Sequence, residues 1–327
     1  MLSKNLTETL KKQHYSVVGK HSAVQICRWA KKSLLNEGFC YKQKFYGIQS
    51  HRCCQMSPYL ACANQCVHCW RPMEQDFGMK LKPTAKDADN PKEIIKNCIL
   101  AQRKLLTGFK GNKKVNMKKW QEAQEPNQFA ISLIGEPTLY PKLAELIKEL
   151  RRQKKTSFLV TNGLYPEKLL ELKRKNALPT QLYISLNTPN KEMYEKWHKS
   201  KIKNAWKKFN ESLEVMKRLK NKTRTILRMT LVKDLNMSEP ENYAKMIKKA
   251  SADFVEVKGY MAVGYARKRL GYEKMPFHAE IREFAKKLEK ELNKIGEKYR
   301  FLDEKIESRV VLLGKDKRKM KIQKKEI

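Results

Sequence analysis

The sequence predicts an α/β protein built as a partial (β/α)6 barrel with an extension at each end. Three observations carry that expectation. From about residue 58 onward, short apolar runs alternate with amphipathic helical patterns, as a parallel sheet wound with helices requires. Six such units follow one another, and 327 residues suit one α/β barrel with extensions. Polar and glycine-bearing words also fall directly after the strand-like runs, where folds of this kind place their chemistry.

In chain order, residues 22–36 read as a helix closed by Gly38, with Val24, Cys27, Lys31 and Leu34 on one face. The expected barrel strands are 59–63, 129–134, 157–160, 182–186, 226–232 and 254–257. Helices are expected at 92–106, 141–151, 167–175, 205–220 and 240–249. Asn90 is a natural N-cap for the first of these, with Pro91 at its first helical position. After the barrel, 276–292 reads as an amphipathic helix and 301–313 as a short hairpin. The very basic tail, 315–325, is expected to be disordered or ordered only on RNA. The chain then divides into an N-terminal extension (1–56), the barrel (57–275) and a C-terminal segment (276–327).

Charge narrows the partners. Lys and Arg number 71 against 34 Asp and Glu, a net +37. Such an excess fits a polyanion, because neutralised phosphates release counterions and supply sequence-independent affinity. Lysine enrichment in heat-adapted proteins is the bland alternative. No secretory h-region opens the chain and no apolar run is long enough to span a bilayer, so no membrane partner is expected. Eight cysteines without an export signal point to metal or redox chemistry in a reducing compartment, and a cytoplasmic protein is expected.

The sharpest chemical word is Cys62-Ala63-Asn64-Gln65-Cys66-Val67-His68-Cys69-Trp70. Three thiols at C-x3-C-x2-C spacing on one short loop can hold three irons of a 4Fe-4S cube and leave the fourth open to a substrate. A Cys3His zinc site completed by His68 is the alternative, although structural zinc sites draw on two separated ligand pairs. Cys27, Cys40 and Cys53 stand at C-x12-C-x12-C spacing, too wide to impose geometry, and buried apolar thiols are the plain reading. Cys98 lies on a stripe with Ile94, Ala101 and Leu105 and reads as core.

The three-cysteine loop resembles the cluster motif of the radical S-adenosylmethionine (radical SAM) superfamily. The words around it are narrower. His21-Ser22-Ala23-Val24-Gln25-Ile26-Cys27-Arg28-Trp29, Cys40-Tyr41-Lys42, Phe45-Tyr46-Gly47-Ile48-Gln49-Ser50-His51-Arg52-Cys53 and Leu60-Ala61-Cys62-Ala63-Asn64 are similar to those of the 4-demethylwyosine synthases. The resemblance runs from about His14 to Phe277. It implies a TIM-like radical SAM barrel and a lyase-type tRNA enzyme. Such an enzyme joins N1-methylguanosine-37 of tRNA-Phe to two carbons of pyruvate, giving the tricyclic wyosine base. It implies SAM on the Cys62, Cys66 and Cys69 cluster, and a second 4Fe-4S cluster on Cys27, Cys40 and Cys53. In the Cys53-Cys54 doublet, Cys53 matches the family's ligand and Cys54 is the spare thiol.

Further roles follow from the resemblance. Lys42 matches a lysine proposed to form an imine with pyruvate, and a lysine becomes nucleophilic when desolvation or a neighbouring cation lowers its pKa. Pyruvate on the second cluster is the alternative. Gly135-Glu136-Pro137 resembles the word that holds the SAM amino group; a plain turn is the bland reading. Ser185 and Asn187 are candidates for the ribose hydroxyls or methionyl carboxylate, with Asn162 and Arg228 as further polar strand-end residues. For RNA, aromatics interleave with cations around Lys118, Lys119 and Trp120, and again around Trp197, Lys199 and Lys203. Arg267 adds a phosphate contact. The chain is expected to represent the shorter, archaeal-type form, without the flavodoxin-like extension of eukaryotic relatives. A monomer served by an external ferredoxin- or flavodoxin-type donor is therefore expected. Two other functions share parts of the pattern: a methylthiotransferase-like two-cluster tRNA enzyme, and a non-enzymatic zinc RNA-binding protein.

Overall fold

The computed structural model describes residues 2–73 and 78–327. Its strands are β1 (Ser16–Val18), β2 (Ser22–Gln25), β3 (Cys53–Ser57), β4 (Gln128–Ile131), β5 (Thr156–Thr161), β6 (Gln181–Ser185), β7 (Arg224–Leu231), β8 (Phe254–Gly259), β9 (Arg300–Lys305) and β10 (Val310–Gly314). They form one sheet in the order β1-β2-β3-β4-β5-β6-β7-β8-β10-β9. Strands β3 to β8 pair in parallel, while β2 and β10 continue the sheet antiparallel at either end. The sheet is an open (β/α)6 arrangement, with edges at β1 and β9.

Side chains alternate across each strand. Phe129, Ile131, Leu159, Leu182, Ile184, Leu227, Met229, Val255 and Val257 point outward into the main core. Helices Pro91–Leu106, Leu143–Arg152, Ala205–Leu219, Pro240–Ala250 and His278–Lys294 cover that face with their apolar stripes. Asn90 caps the first of them, its side chain accepting from the Lys92 N–H, with Pro91 at the start. Inward positions carry different residues. Parallel pairing sets Ser185 opposite Arg228 and Arg228 opposite Glu256, with Thr230 opposite Lys258 one row further up. Helix Tyr41–Tyr46 packs into the lower part of this concave face against Phe158, Tyr183, Ile226 and Phe254. Among the described residues, no helix is long and apolar enough to cross a membrane.

Three expectations are corrected. The first parallel strand is Cys53–Ser57, and 59–63 is irregular chain leading into the cysteine loop. Only Cys54 and Met56 face the core in that strand, so its apolar signal is too sparse to read. Residues 22–36 are not one helix: Ser22–Gln25 pairs with both β1 and β3, and a helix runs only from Arg28 to Leu34. Edge pairing of Val24 and its neighbours overrides the helical periodicity. The basic tail is also ordered. Met320 is buried, its carbonyl accepts from Arg224 Nη2 at 2.8 Å, and the Ile322 N–H donates to Tyr46 O.

Candidate active site

The three-cysteine loop is fixed from two sides. Its Gln65 and Val67 N–H groups donate to the carbonyls of His198 and Trp197, the last residues of helix Lys191–His198. Arg269 Nη2 donates to Cys69 O at 2.6 Å and to Arg71 O at 2.8 Å. Both Asn64 N–H and Asn162 Nδ2 donate to Cys62 Sγ, at 3.4 and 3.5 Å. Cys66 Sγ lies 3.0 Å from His198 Nδ1. Burial pushes the Cys62 and Cys66 thiols up, so both require a metal to become thiolates near neutrality.

His68 faces away from a zinc role. Its Nδ1 accepts from Trp197 Nε1 at 2.8 Å and its ring lies on that indole, 5.4 Å between centroids. Burial, with Arg228 and Arg269 adding to it, pushes His68 down to about 4. Among the described residues, no three His, Cys, Asp or Glu side chains gather tightly enough to hold a single metal ion. A four-iron cube instead takes each thiolate at a different corner.

Next to the loop stands Glu136, 1% exposed. Its Oε1 accepts from the Thr138 N–H, Thr138 Oγ1 and Thr161 Oγ1, and its Oε2 accepts from the Asn162 N–H at 2.8 Å. One lone pair on Oε2 stays available for an ammonium group. Burial pushes this carboxyl up. Gly135 has φ +77° and passes so close to the chain that an added Cβ would lie 2.3 Å from Tyr59 O. This resolves the turn reading of Gly135-Glu136-Pro137: the turn exists, and it exists to seat Glu136 behind the loop. Asn187 Oδ1 accepts from the Thr230 N–H, and Ser185 stands in the row with Arg228.

A second cluster of thiols lies lower on the concave face. Cys27 N-caps helix Arg28–Leu34, its Sγ accepting from the Ala30 N–H at 3.3 Å. Cys40 stands at the N-cap of helix Tyr41–Tyr46, and its N–H donates to Ser50 Oγ. Cys53 opens β3 and faces inward with them. The three thiols sense one another and Lys42 electrostatically; burial raises all of them, Cys40 to about 11. Strand alternation separates the doublet: Cys54 is wholly buried on the outer face beside Cys98, in the core. Cys54 and Cys98 lie wholly within the core, whereas Cys27 and Cys40 are partly buried at the margins of smaller apolar clusters and Cys53 is partly buried on the inner face.

Lys42 is 8% exposed, with Nζ 5.0 Å from the Phe158 ring centre and 4.7 Å from that of Tyr183. Burial pushes its amine below the usual lysine range; Glu256 opposes this and Arg228 adds to it. Glu256 is wholly buried and accepts from Tyr41 OH at 2.8 Å and Tyr46 OH at 2.7 Å. Sequence reasoning passed over Glu256. Its signal was an acidic residue at an inward position of an otherwise apolar strand, the kind of buried polar that calls for a reason.

The cysteine loop opens on the concave face. A cavity of about 220 Å³ is lined by Cys62, Cys66, Cys69 and Glu136, and on its floor by Asn162, Ser185, Asn187, Arg228 and Lys258. Arg228 Nε and the Tyr260 hydroxyl, both buried at this cavity, have no hydrogen-bond partner among the described residues. Three thiols on one loop beside a buried carboxylate, with unpartnered donors facing the space between, fit an iron–sulfur cluster carrying an amino-acid-bearing ligand such as SAM. A larger cleft of about 860 Å³ at the amino ends of the strands, under the docked tail, contains no cysteine.

The expected RNA contacts separate. Lys199, Lys203 and Arg267 are exposed on the rim beside the cysteine loop. Lys118 and Lys119 sit on helix Met117–Ala123, which packs near the turn Ser50–Arg52 at the amino end of β3, away from that rim. Trp197 is corrected outright. At 5% exposed it cannot stack on a base, because it is packed against Val232, Tyr260 and Ala262 and holds His68. Trp206 likewise packs on Tyr194 and Phe209.

Comparison with known proteins agrees with this geometry. The model of the radical SAM superfamily matches residues 56–247, and that for wyosine base formation matches 249–315. An S-adenosyl-L-methionine-dependent tRNA 4-demethylwyosine synthase of Pyrococcus horikoshii is 49% identical over 316 residues, covering 96% of this chain and 90% of its own length. The synthase of Methanocaldococcus jannaschii is 37% identical, covering 98% of this chain and 99% of its own. Among solved structures, a TYW1 with a lysine–pyruvate adduct bound superposes with a TM-score of 0.83 at 34% identity, covering 99% of both chains. An archaeal TYW1 gives 0.76 at 32% identity, covering 96% of this chain and 97% of its own.

Proposed function

Since this chain belongs to the S-adenosyl-L-methionine-dependent tRNA 4-demethylwyosine synthases of the radical SAM superfamily, we propose that its two cysteine sets and Lys42 work as one site on the concave face. The chain is a radical SAM enzyme of tRNA wyosine formation, and it uses SAM with an iron–sulfur cluster. Cys62, Cys66 and Cys69 would hold the iron–sulfur cluster, which when bound would supply the electron for reductive cleavage of SAM. Glu136 Oε2 would accept from the SAM ammonium, and Asn162, Ser185 and Asn187 would offer hydrogen bonds to its remaining polar groups. In our reading Cys27, Cys40 and Cys53 hold a second 4Fe-4S cluster.

Lys42 gives the co-substrate a place. Burial of its amine, with Arg228 adding to it, favours the neutral, nucleophilic form. Attack on the pyruvate carbonyl, with loss of water, joins the 2-oxo acid to Nζ as an imine. The methyl group of N1-methylguanosine-37 of tRNA-Phe then enters from the rim where Lys199, Lys203 and Arg267 are exposed. Walls of packed side chains around the cavity exclude water from reactive species. We further infer a cytoplasmic monomer, since its substrate is a tRNA, reduced by an external ferredoxin- or flavodoxin-type donor.

The observation that carries this reading is convergence: residues from six parallel strands and the N-terminal segment bring two thiol triads and one desolvated lysine to the same face. The test is an anaerobic assay with reconstituted protein, dithionite, SAM, pyruvate and N1-methylguanosine-containing tRNA-Phe, read by nucleoside mass spectrometry. The tricyclic base is expected from the natural protein and absent with Cys27→Ala or Lys42→Ala. SAM cleavage with an unchanged base would leave the radical chemistry standing and overturn the roles given to the second triad and Lys42.

A further inference from the structure

We propose that Arg228 and Lys258 form an anion clamp for the carboxylate of the 2-oxo acid, so that this pair, rather than the imine lysine, selects an acid over a neutral ketone. The inference rests on the reading of Lys42 above and deepens it. It also moves Arg228 from the SAM ligands, where its strand-end position had put it, to the co-substrate.

The charge count is the first reason. Arg228 and Lys258 bring two cationic side chains into one buried neighbourhood whose acidic member is Glu256. The two oxygens of Glu256 accept from Tyr41 and Tyr46, which fix it in place. Buried cations are costly unless paired, and one carboxylate does not balance two of them. A monoanionic ligand reduces the imbalance.

Geometry is the second reason. Arg228 is the register partner of Glu256, and Lys258 lies two residues beyond Glu256 on the same strand and face. Both cations line the cavity that holds the Cys62, Cys66 and Cys69 thiols. Lys42 Nζ lies 4.7 Å from the Tyr183 ring centre, and Ser185, two residues further along that strand, is the other register partner of Arg228. Arg228 Nε is buried and lacks a partner among the described residues. A guanidinium with a free Nε offers a planar fork that matches a carboxylate in two hydrogen bonds. Lys258 Nζ donates to Ser308 O at 2.7 Å, which anchors the ammonium and leaves two of its donors for a second oxygen.

The test needs neither SAM nor tRNA. Reconstituted enzyme is incubated anaerobically with pyruvate or with pyruvamide, its neutral amide, and cyanoborohydride. Imine formation releases one water, and hydride plus a proton then reduces the C=N bond to a stable secondary amine, read by peptide mass spectrometry at Lys42. Arg228→Gln is expected to raise the half-saturating pyruvate concentration about 10- to 100-fold, the loss of a hydrogen-bonded charge pair, with pyruvamide changed less than about threefold. Lys258→Met should shift it in the same direction. Arg228→Lys, which keeps the charge without the fork, should give a smaller shift and covers the case in which the glutamine variant does not fold. Unchanged pyruvate trapping in these variants, or equal losses for acid and amide, would overturn the clamp. So would weakened SAM binding with pyruvate unaffected, which would return Arg228 to the SAM ligands. Pyruvate affinity measured by calorimetry runs alongside. If the natural protein binds pyruvate but traps none on Lys42, the imine reading fails, and the calorimetric shift in Arg228→Gln still decides the clamp.

Discussion

Gly135 and Trp197 show how single residues set this site without being able to carry its chemistry. Gly135 occupies a left-handed backbone position where a Cβ would strike Tyr59 O. Gly135→Ala combines conformational strain with that clash and should cost about 2–4 kcal/mol, read as a lowered unfolding midpoint together with weakened SAM binding. An unchanged midpoint would mean that the turn relaxes at little cost. Trp197 was expected to stack on RNA from its cationic neighbours in sequence, and it is instead the donor that holds His68 behind the cluster loop. Trp197→Phe keeps most of the packing and loses that donor. We expect tRNA affinity within about twofold and lower iron retention at the first triad, because outer hydrogen bonds hold ligands in place. A tenfold loss of tRNA affinity with iron retained would restore the stacking role.

At the scale of elements, the interior strands, the helices and the C-terminal hairpin were legible and the N-terminal edge was not. Strands β4 to β8 are apolar on their outer positions and bounded by turns, and their helices carry full apolar stripes, so periodicity suffices. β3 was missed because its inward side chains, Cys53, Gln55 and Ser57, serve the site rather than the core. β2 was missed because one of its two pairing partners, β3, lies about thirty residues away, which no local pattern records. The tail shows the same limit. Its basic composition suggested disorder, yet it docks by a backbone carbonyl on Arg224, which also stacks on Tyr46 and Phe254. Deleting residues 316–327 should remove Met320 O and Glu326 from that buried guanidinium, leaving it Gln181 Oε1, and destabilise the protein by about 2–4 kcal/mol. Calorimetry with parallel tRNA titration checks this. An unchanged melting temperature with weaker tRNA binding would make the tail an RNA element instead.

For the whole molecule, the buried histidines give the fold a pH dependence of defined sign. His68 is pushed down to about 4 by burial with Arg228 and Arg269, and His198 to about 3 by burial with His68. In the unfolded chain both titrate near pH 6.5. Between that value and their folded values, the unfolded chain binds protons that the native protein does not. Stability is therefore full above about pH 6.5 and falls on acidification, by about 2 kcal/mol for each histidine down to pH 5. The raised thiols stay protonated in both states over this window and do not contribute. Urea midpoints of the metal-free protein at pH 7 and pH 5 measure the slope, and His198→Gln should roughly halve it. A flat profile would show that both rings are solvated.

The sequence by itself determined the fold class, the family and the first triad, because periodicity and close cysteine spacing are local properties of the chain. It also marked Lys42 and Glu136 through short words whose neighbours are fixed in sequence. Only the tertiary structure decided which residues share an interior. Wide spacing left Cys27, Cys40 and Cys53 unconstrained, and strand alternation then turned Cys53 inward and Cys54 outward. Parallel register set Arg228 beside Glu256 and left Lys258 on the same face. Burial removed Trp197 from the RNA surface and gave it to His68. Each of these outcomes depends on contacts between residues distant in the chain, and such contacts form only when the strands assemble into the sheet.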